Sequence, residues 1–206
     1  MSKAFGYPSY SSDGVQQLTA VTGEYSDALM DTAVHRLRAG ETRTFRYPDA
    51  ESAYLLIEGC IVVQWEKETA QLSRTTCFDN GAEVAGLHVC RGVSVTVSAE
   101  TDAELFVVFT ENEARFPAEF YPTDKIRSVV SCADLCGGTC ERTVTTLFDD
   151  QTAPLSHLVL GETYPLPGKW CGYPPHSHPQ PEVYYYRVDR PEGFGFCCVG
   201  DEVFPI

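Results

Sequence analysis

Ala53-Tyr54-Leu55-Leu56-Ile57-Glu58-Gly59-Cys60-Ile61-Val62-Val63-Gln64-Trp65 sets the architecture. Two runs rich in aliphatic and aromatic residues flank a Glu-Gly pair, which reads as strand, tight turn, strand: a hairpin. The same grammar extends to both sides. Thr32-Ala33-Val34-His35-Arg36-Leu37 alternates and is punctuated by Ala39-Gly40-Glu41. Asn80-Gly81 is a further turn signal. Val93-Ser94-Val95-Thr96-Val97 places valines on one face and hydroxyls on the other, as a half-buried strand requires. Ala103-Glu104-Leu105-Phe106-Val107-Val108-Phe109 suits a buried strand. Many short strands with few helical stretches predict an all-β protein, a barrel or jelly roll.

Residues 111–155 change character, with Asn, Pro and Asp and only one further candidate strand, Lys125-Ile126-Arg127-Ser128-Val129-Val130. They read as a connection between two β units. Strands are expected again over Ser156–Gly161, through His176 and His178, over Glu182–Arg187 and over Gly193–Val199. The expected division is an N-terminal unit with connector over 1–150, holding no metal, and a C-terminal unit over 151–206.

The 206 residues carry a formal net charge of −14. That charge repels nucleic-acid phosphates and anionic membrane surfaces, and no basic stripe offsets it. No apolar run of about 18 residues is present to span a bilayer. Met1-Ser2-Lys3-Ala4-Phe5-Gly6-Tyr7 lacks the apolar core of a secretory signal, so the expectation is a cytoplasmic protein. Nine cysteines, an odd number, then read as reduced thiols. Cys132, Cys136 and Cys140 have a spacing that fits no common zinc ribbon. Cys197 and Cys198 would point to opposite faces of a strand.

The chemistry concentrates in Tyr173-Pro174-Pro175-His176-Ser177-His178-Pro179-Gln180-Pro181-Glu182. In an extended chain His176 and His178 point the same way. Pro179 and Pro181 cannot sit inside a central strand, so the chain turns there and Glu182 opens the return. Two imidazoles and a carboxylate make a first shell for Zn²⁺, Mn²⁺ or Fe²⁺. A surface His-x-His near a Glu also arises by chance; the flanking prolines and the aromatic run that follows favour the metal reading. His35 and His88 have no ligand-spaced partner and read as packed or surface residues. His157 lies on the strand before the histidine pair.

Pro167-Gly168-Lys169-Trp170, Tyr173 to His178, Glu182-Val183-Tyr184-Tyr185-Tyr186-Arg187 and Arg190-Pro191-Glu192-Gly193-Phe194-Gly195-Phe196 resemble the 5-deoxy-glucuronate isomerase family. These are two-cupin isomerases, similar to 5-keto-4-deoxyuronate ketol-isomerase. The resemblance is specific over residues 154–200. The first half fits by strand pattern only, including Arg38-Ala39-Gly40-Glu41-Thr42 and Leu55 to Gly59. It implies two cupin-type jelly-roll barrels in tandem, with His176, His178 and Glu182 as metal ligands. The family's fourth ligand is a histidine on a later strand, and no histidine follows His178. At the usual length of strand plus turn, the strands not represented would need about 40–60 residues, so the second barrel is expected to be incomplete. Trp170-Cys171-Gly172 departs from the family's Trp-Ser-Ser.

The implied reaction converts 5-deoxy-glucuronate into 5-dehydro-2-deoxy-gluconate in inositol catabolism, by proton or hydride transfer. A divalent metal, Zn or Mn with Fe as an option, polarises the carbonyl and adjacent hydroxyl. Tyr184 and Tyr186 share the parity of Glu182 and are candidates for substrate hydroxyls, or else barrel filler. Lys169 and Arg187 are the nearest cations in sequence for the uronate carboxylate, although Arg187 has the opposite parity and both also suit solvated surface. No residue is assigned as the base. Expected partners are a small sugar acid and, as an option, further copies of the chain. Two other functions fit the same residues: an Fe(II)-dependent cupin dioxygenase and a non-catalytic sugar-acid-binding cupin.

Overall fold

The structure, a computed structural model, describes residues 5–172 and 174–206. Nine strands form one antiparallel sheet folded on itself: β1 (Val15–Thr19), β2 (Asp31–Leu37), β3 (Thr42–Arg46), β4 (Ala50–Trp65), β5 (Glu68–Arg74), β6 (Gly86–Val89), β7 (Ser94–Ala99), β8 (Ala103–Glu111) and β9 (Glu119–Tyr121). One layer runs β1-β2-β8-β4-β6-β9, the other β3-β7-β4-β5. Among the described residues the only helical elements are three short 3₁₀ turns.

The predicted hairpin at Glu58-Gly59 is not there. Residues 50–65 are one 16-residue strand, β4, shared by both layers. Its first half pairs with β8 and β6, its second with β5 and β7. The Glu-Gly signal marks a bulge instead: Leu56 pairs with Leu105 and Glu58 with Glu104, leaving Ile57 extra. One added residue flips the inward parity, so Tyr54 and Leu56 before it and Ile61, Val63 and Trp65 after it all reach the same core. Gly59 is required there. Its φ is +105°, and a Cβ would lie 2.5 Å from the Asp102 carbonyl oxygen. The real reversal comes at Glu66-Lys67, between β4 and β5.

Elsewhere the alternation holds. Val95 and Val97 are fully buried, facing Leu72, Leu87 and Leu105 in the core, while Ser94, Thr96 and Ser98 turn outward. The outer face of β4 and β8 is also covered. Ala53, Leu55 and Val108 pack against Leu147, Phe148 and Leu158 in a second cluster. This double burial explains why Ala53–Ile57 is apolar without alternation.

The cover is a three-stranded sheet of β10 (Arg127–Ser131), β11 (Arg142–Phe148) and β12 (Leu160–Pro165), all antiparallel. The segment read as connector thus holds three strands, β9, β10 and β11, rather than one. The ladder between β11 and β12 crosses residue 150, where the sequence reading divided the chain. The strand expected over Ser156–Gly161 begins later, at Leu160.

β13 (Phe196–Val199) and β14 (Glu202–Pro205) close the chain as a hairpin, docked on the N-terminal segment through Phe5 stacked on Phe204 and the Tyr7 hydroxyl on the Pro205 carbonyl. Between β12 and β13 no strand occurs among the described residues. The strands expected through His176–His178 and over Glu182–Arg187 are therefore not formed, and Gly193–Val199 contributes only Phe196–Val199. An extended segment becomes a strand only when a neighbour takes up its N–H and C=O groups, and none does here among the described residues. Residues 1–4, within the quoted N-terminal segment, and Tyr173, within the histidine segment, lie outside the described residues.

Candidate metal and substrate site

The histidine segment follows β12 as a proline-broken loop. The His178 Nε2 stands 3.3 Å from Glu182 Oε2, and the His176 and His178 ring centres are 5.8 Å apart. His176 Nδ1 lies 2.8 Å from the Pro174 carbonyl oxygen and His178 Nδ1 2.9 Å from that of Gln180. A carbonyl only accepts, so each Nδ1 carries the hydrogen, and a neutral ring keeps its lone pair on Nε2. That is the tautomer in which an outer hydrogen bond orients a ligating imidazole. The His178 lone pair then faces a carboxylate oxygen, an arrangement that a shared cation or proton favours. The donor chemistry thus fits a divalent metal at His178 and Glu182, with His176 one ring away. Among the described residues no three His, Cys, Asp or Glu side chains converge closely enough to hold a metal ion as placed.

Beyond Glu182 the side chains alternate even without a ladder. Tyr184 and Tyr186 stack with ring centres 5.8 Å apart. Tyr184 hydrogen-bonds Glu182, and burial with that bond raises its phenol above the ordinary range. The Tyr186 hydroxyl donates to Cys197 Sγ at 3.4 Å; burial, then that contact, raises it too. Tyr185 and Arg187 turn to the first barrel. Tyr185 lies against Phe106, and Arg187 binds Glu104 and reaches Glu58 at 3.7 Å. Burial alone would lower the Arg187 guanidinium, but the Glu104 charge outweighs it. Lys169 is also engaged, donating to the Gly138 carbonyl at 2.8 Å with Glu141 at 3.6 Å.

Of the other histidines, His35 and His88 are packed residues and His157 is exposed. His88 is buried, 2.7 Å from Glu51 and stacked on Phe148. His35 meets Phe45 edge-on and accepts from Arg43 at 2.9 Å; burial, then the Arg43 charge, lowers it to about 4. His157 belongs to the first barrel: its backbone N–H donates to Glu51 at 2.6 Å and its Nδ1 to the Glu111 carbonyl at 2.9 Å. The nine cysteines show no disulfide among the described residues. Cys136 and Cys140 touch across a turn in which Cys132, Cys136 and Gly137 have positive φ.

The sequence reading missed Arg142. It lies in β11, within the supposed connector, yet its charge acts on both Tyr184 and Cys171. No local pattern marks it. The pairing of β10 to β12, with the Trp170 N–H bonded to the Thr139 carbonyl, sets the start of β11 near the Trp170–Cys171 segment.

A nine-stranded jelly-roll barrel with a three-stranded sheet packed on its outer face defines a cupin-type protein. Residues 6–203 match the KduI/IolB family, and the chain belongs to it. It is 24% identical over 198 residues to a 5-deoxy-glucuronate isomerase of Bacillus subtilis (strain 168), covering 90% of this chain and 71% of that one. A 5-deoxy-glucuronate isomerase of Bacillus velezensis is 25% identical over 197 residues, again 90% and 71%. An IolB-like protein from Salmonella typhimurium LT2 superposes with a TM-score of 0.66 at 20% identity, over 77% of this chain and 59% of that one. The chain thus spans less than two thirds of that solved structure.

Proposed function

We propose that the protein is a metal-dependent aldose–ketose isomerase, an intramolecular oxidoreductase, acting on 5-deoxy-glucuronate to give 5-dehydro-2-deoxy-gluconate in inositol catabolism. The observation that carries this reading is the His178–Glu182 contact at 3.3 Å, with His176 beside it and both Nδ1 atoms tied to backbone carbonyls. Membership of the KduI/IolB family and the names of the relatives support it.

His176, His178 and Glu182 are the residues that would hold a divalent ion, Zn or Mn with Fe as the alternative. Bound there, such an ion supplies Lewis-acid polarisation of a carbonyl and its neighbouring hydroxyl. The chain's own part is positioning. Tyr184, kept protonated by burial and by its bond to Glu182, holds that carboxylate in place and offers its hydroxyl oxygen as an acceptor to a substrate hydroxyl. Tyr186, stacked on it, walls the same side. Lys169 and Arg187, tied to Gly138 and to Glu104, act as struts that hold the loop; their carboxylate-binding role gives way to that structural one. The substrate is a small sugar acid, the working environment the cytoplasm, and the 1–150 unit is a non-metal scaffold for residues 151–206.

The test is turnover of 5-deoxy-glucuronate by the full chain, before and after treatment with a chelator and after Zn²⁺ or Mn²⁺ is returned. Ketose formation lost on chelation and restored by metal supports the proposal. Substrate-dependent O₂ consumption would instead identify a dioxygenase, and tight uronate binding without turnover a binding protein.

A further inference from the structure

Residues 174–192 meet the rest of the chain through side chains: among the described residues no backbone hydrogen bond joins them to another segment. Their position is therefore set at few points. Upstream, the Trp170 N–H donates to the Thr139 carbonyl at 2.8 Å, and Lys169 Nζ to that of Gly138 at the same distance. Downstream, Arg187 bonds Glu104 of β8. Glu104 is 7% exposed and collects three groups. Arg36 Nε of β2 donates to its Oε1 at 2.7 Å, the Tyr10 hydroxyl to the same oxygen at 3.3 Å, and Arg187 Nη1 to Oε2. Burial alone would raise this carboxyl; the Arg36 bond and the Arg187 charge outweigh it and hold it below the ordinary range.

Two side-chain pairs are in step across this contact. On β8, Leu105 and Val107 point into the core, so Glu104 and Phe106 share the outer face. Beyond Glu182, Tyr185 and Arg187 share one side. The Tyr185 and Phe106 ring centres are 6.4 Å apart, and Arg187 reaches Glu104. The segment thus crosses the outer face of β8 in the opposite chain direction, held by side chains instead of a ladder. Fixing that side fixes the other. Tyr184 stacks on Tyr186 with ring centres 5.8 Å apart and bonds Glu182, whose Oε2 stands 3.3 Å from His178 Nε2. Arg187 lies five residues from Glu182, so a guanidinium released from Glu104 frees the run between them.

We propose that Glu104 is a positioning residue for the histidine loop: it grips Arg187 and so sets Glu182 against His178. The proposal rests on the metal-dependent isomerase reading for what the loop holds, and adds to it a buried residue of the first barrel. Donors carried on a loop stay in register only through the contacts beneath them. A displacement of about 1 Å weakens both the capture of an ion and the orientation of a substrate. The first barrel thereby takes part in the chemistry of the residues that follow it. Arg36 offers an internal comparison. It bonds the same carboxylate from β2, and its loss perturbs Glu104 without freeing Arg187.

The experiment measures the Zn²⁺ affinity of the full chain by competition with a chromogenic chelator, and kcat and KM for 5-deoxy-glucuronate. It compares the wild type with Glu104→Gln, Arg187→Gln, Arg187→Lys, the Glu104→Gln/Arg187→Gln double variant and Arg36→Gln. Glu104→Gln and Arg187→Gln are each expected to weaken Zn²⁺ binding by about tenfold. The double variant should lose no more than the worse single one, because the two groups act as a unit. Arg187→Lys, which keeps the charge, should recover part of the loss. With Zn²⁺ saturating, kcat should fall while KM changes less. Arg36→Gln should melt lower than the wild type yet bind Zn²⁺ like it. Wild-type Zn²⁺ affinity in Glu104→Gln overturns the proposal. So does an equal loss in Arg36→Gln, which would trace the effect to barrel stability. A raised KM with unchanged Zn²⁺ affinity in Arg187→Gln overturns it too, by making Arg187 a substrate ligand. Should Glu104→Gln fail to fold, Arg187→Gln and Arg187→Lys decide by the same affinities. Zn²⁺ affinity that depends on Glu104, in a chain that turns over no uronate, would leave this proposal standing and remove the isomerase. Metal-dependent turnover with Zn²⁺ affinity indifferent to Glu104 would do the reverse, and a wild type with no affinity for Zn²⁺ overturns both.

Discussion

Arg74 Nη1 on β5 meets Glu162 Oε1 on β12 at 2.6 Å, and it is the fully buried guanidinium that fastens the three-stranded sheet to the barrel. The same group donates to Asp79 through Nε and Nη2, both at 2.9 Å, and to the Leu56 carbonyl at 3.1 Å. Burial alone would lower its pKa; the bonds to Glu162 and Asp79 outweigh that and raise it. Arg74→Met strands the Asp79 carboxylate and is expected to cost about 3–5 kcal/mol, whereas Glu162→Gln, with Asp79 still in place, should cost about 1–2 kcal/mol. Urea titration of both variants checks the order, and equal losses would contradict it.

A second junction makes stability fall in acid. Glu51, fully buried on β4, accepts from His88, Asn112, Ser156 and the His157 N–H. Burial would raise its pKa, but these four bonds prevail and hold it below the usual value. A depressed carboxyl stabilises the fold above its unfolded pKa of about 4.3 and loses that contribution as pH falls through the folded value. Glu51→Gln should therefore flatten the fall in melting temperature below about pH 4.3 and lower stability at neutral pH by about 2 kcal/mol. A melting-temperature profile with the wild-type acid slope would rule this out.

His35 acts at milder pH. Its folded pKa, lowered to about 4, lies beneath the unfolded value, so the unfolded chain takes up a proton that the folded one refuses. Stability from this group is complete above about pH 6.5 and declines toward pH 4. His35→Gln, read by urea unfolding at several pH values, should lose the part of the slope that lies between those limits.

Metal content follows the histidine loop. His178→Ala and Glu182→Ala each remove one of the two groups already in contact. Each should lower bound Zn or Mn by about tenfold or more, and His176→Ala should do likewise if it supplies the third donor. Elemental analysis of the purified variants decides, and metal content equal to wild type in all three would falsify the proposed ligand set.

Gly59 gives a fold-level test. Its φ of +105°, and the 2.5 Å that would separate an added Cβ from the Asp102 oxygen, leave no room for a side chain. Gly59→Ala is expected to destabilise by about 2–4 kcal/mol, well beyond a surface glycine such as Gly172, where an added Cβ would meet no non-neighbouring atom of the described residues within 4 Å. Similar losses at both positions would mean that β4 bends elsewhere.

The strand grammar was legible wherever one face met water. Val93–Val97 announced its inward valines and outward hydroxyls, and β7 has them so. Glu58-Gly59 was misread because a glycine with positive φ serves a reversal and a bulge equally well, and only the pairing of β4 with both layers tells them apart. The candidate strand over Lys125–Val130 is β10, but the connector hid β9, which is only three residues long, and β11, whose half-exposed, threonine-rich run carries little periodic signal.

His176, His178, Glu182 and the parity of Tyr184 and Tyr186 could be read locally, since their spacing within one short segment sets which way they point. The sequence by itself thus determined the all-β class, the acidic character and the set of donor side chains in the histidine loop. The tertiary structure alone decided that Lys169 bonds the Gly138 carbonyl, that Arg187 bonds Glu104, and that Glu51 reaches a backbone N–H 106 residues away. Those are contacts between segments distant in the chain, and their partners are chosen by sheet register and burial, which no local run of residues encodes.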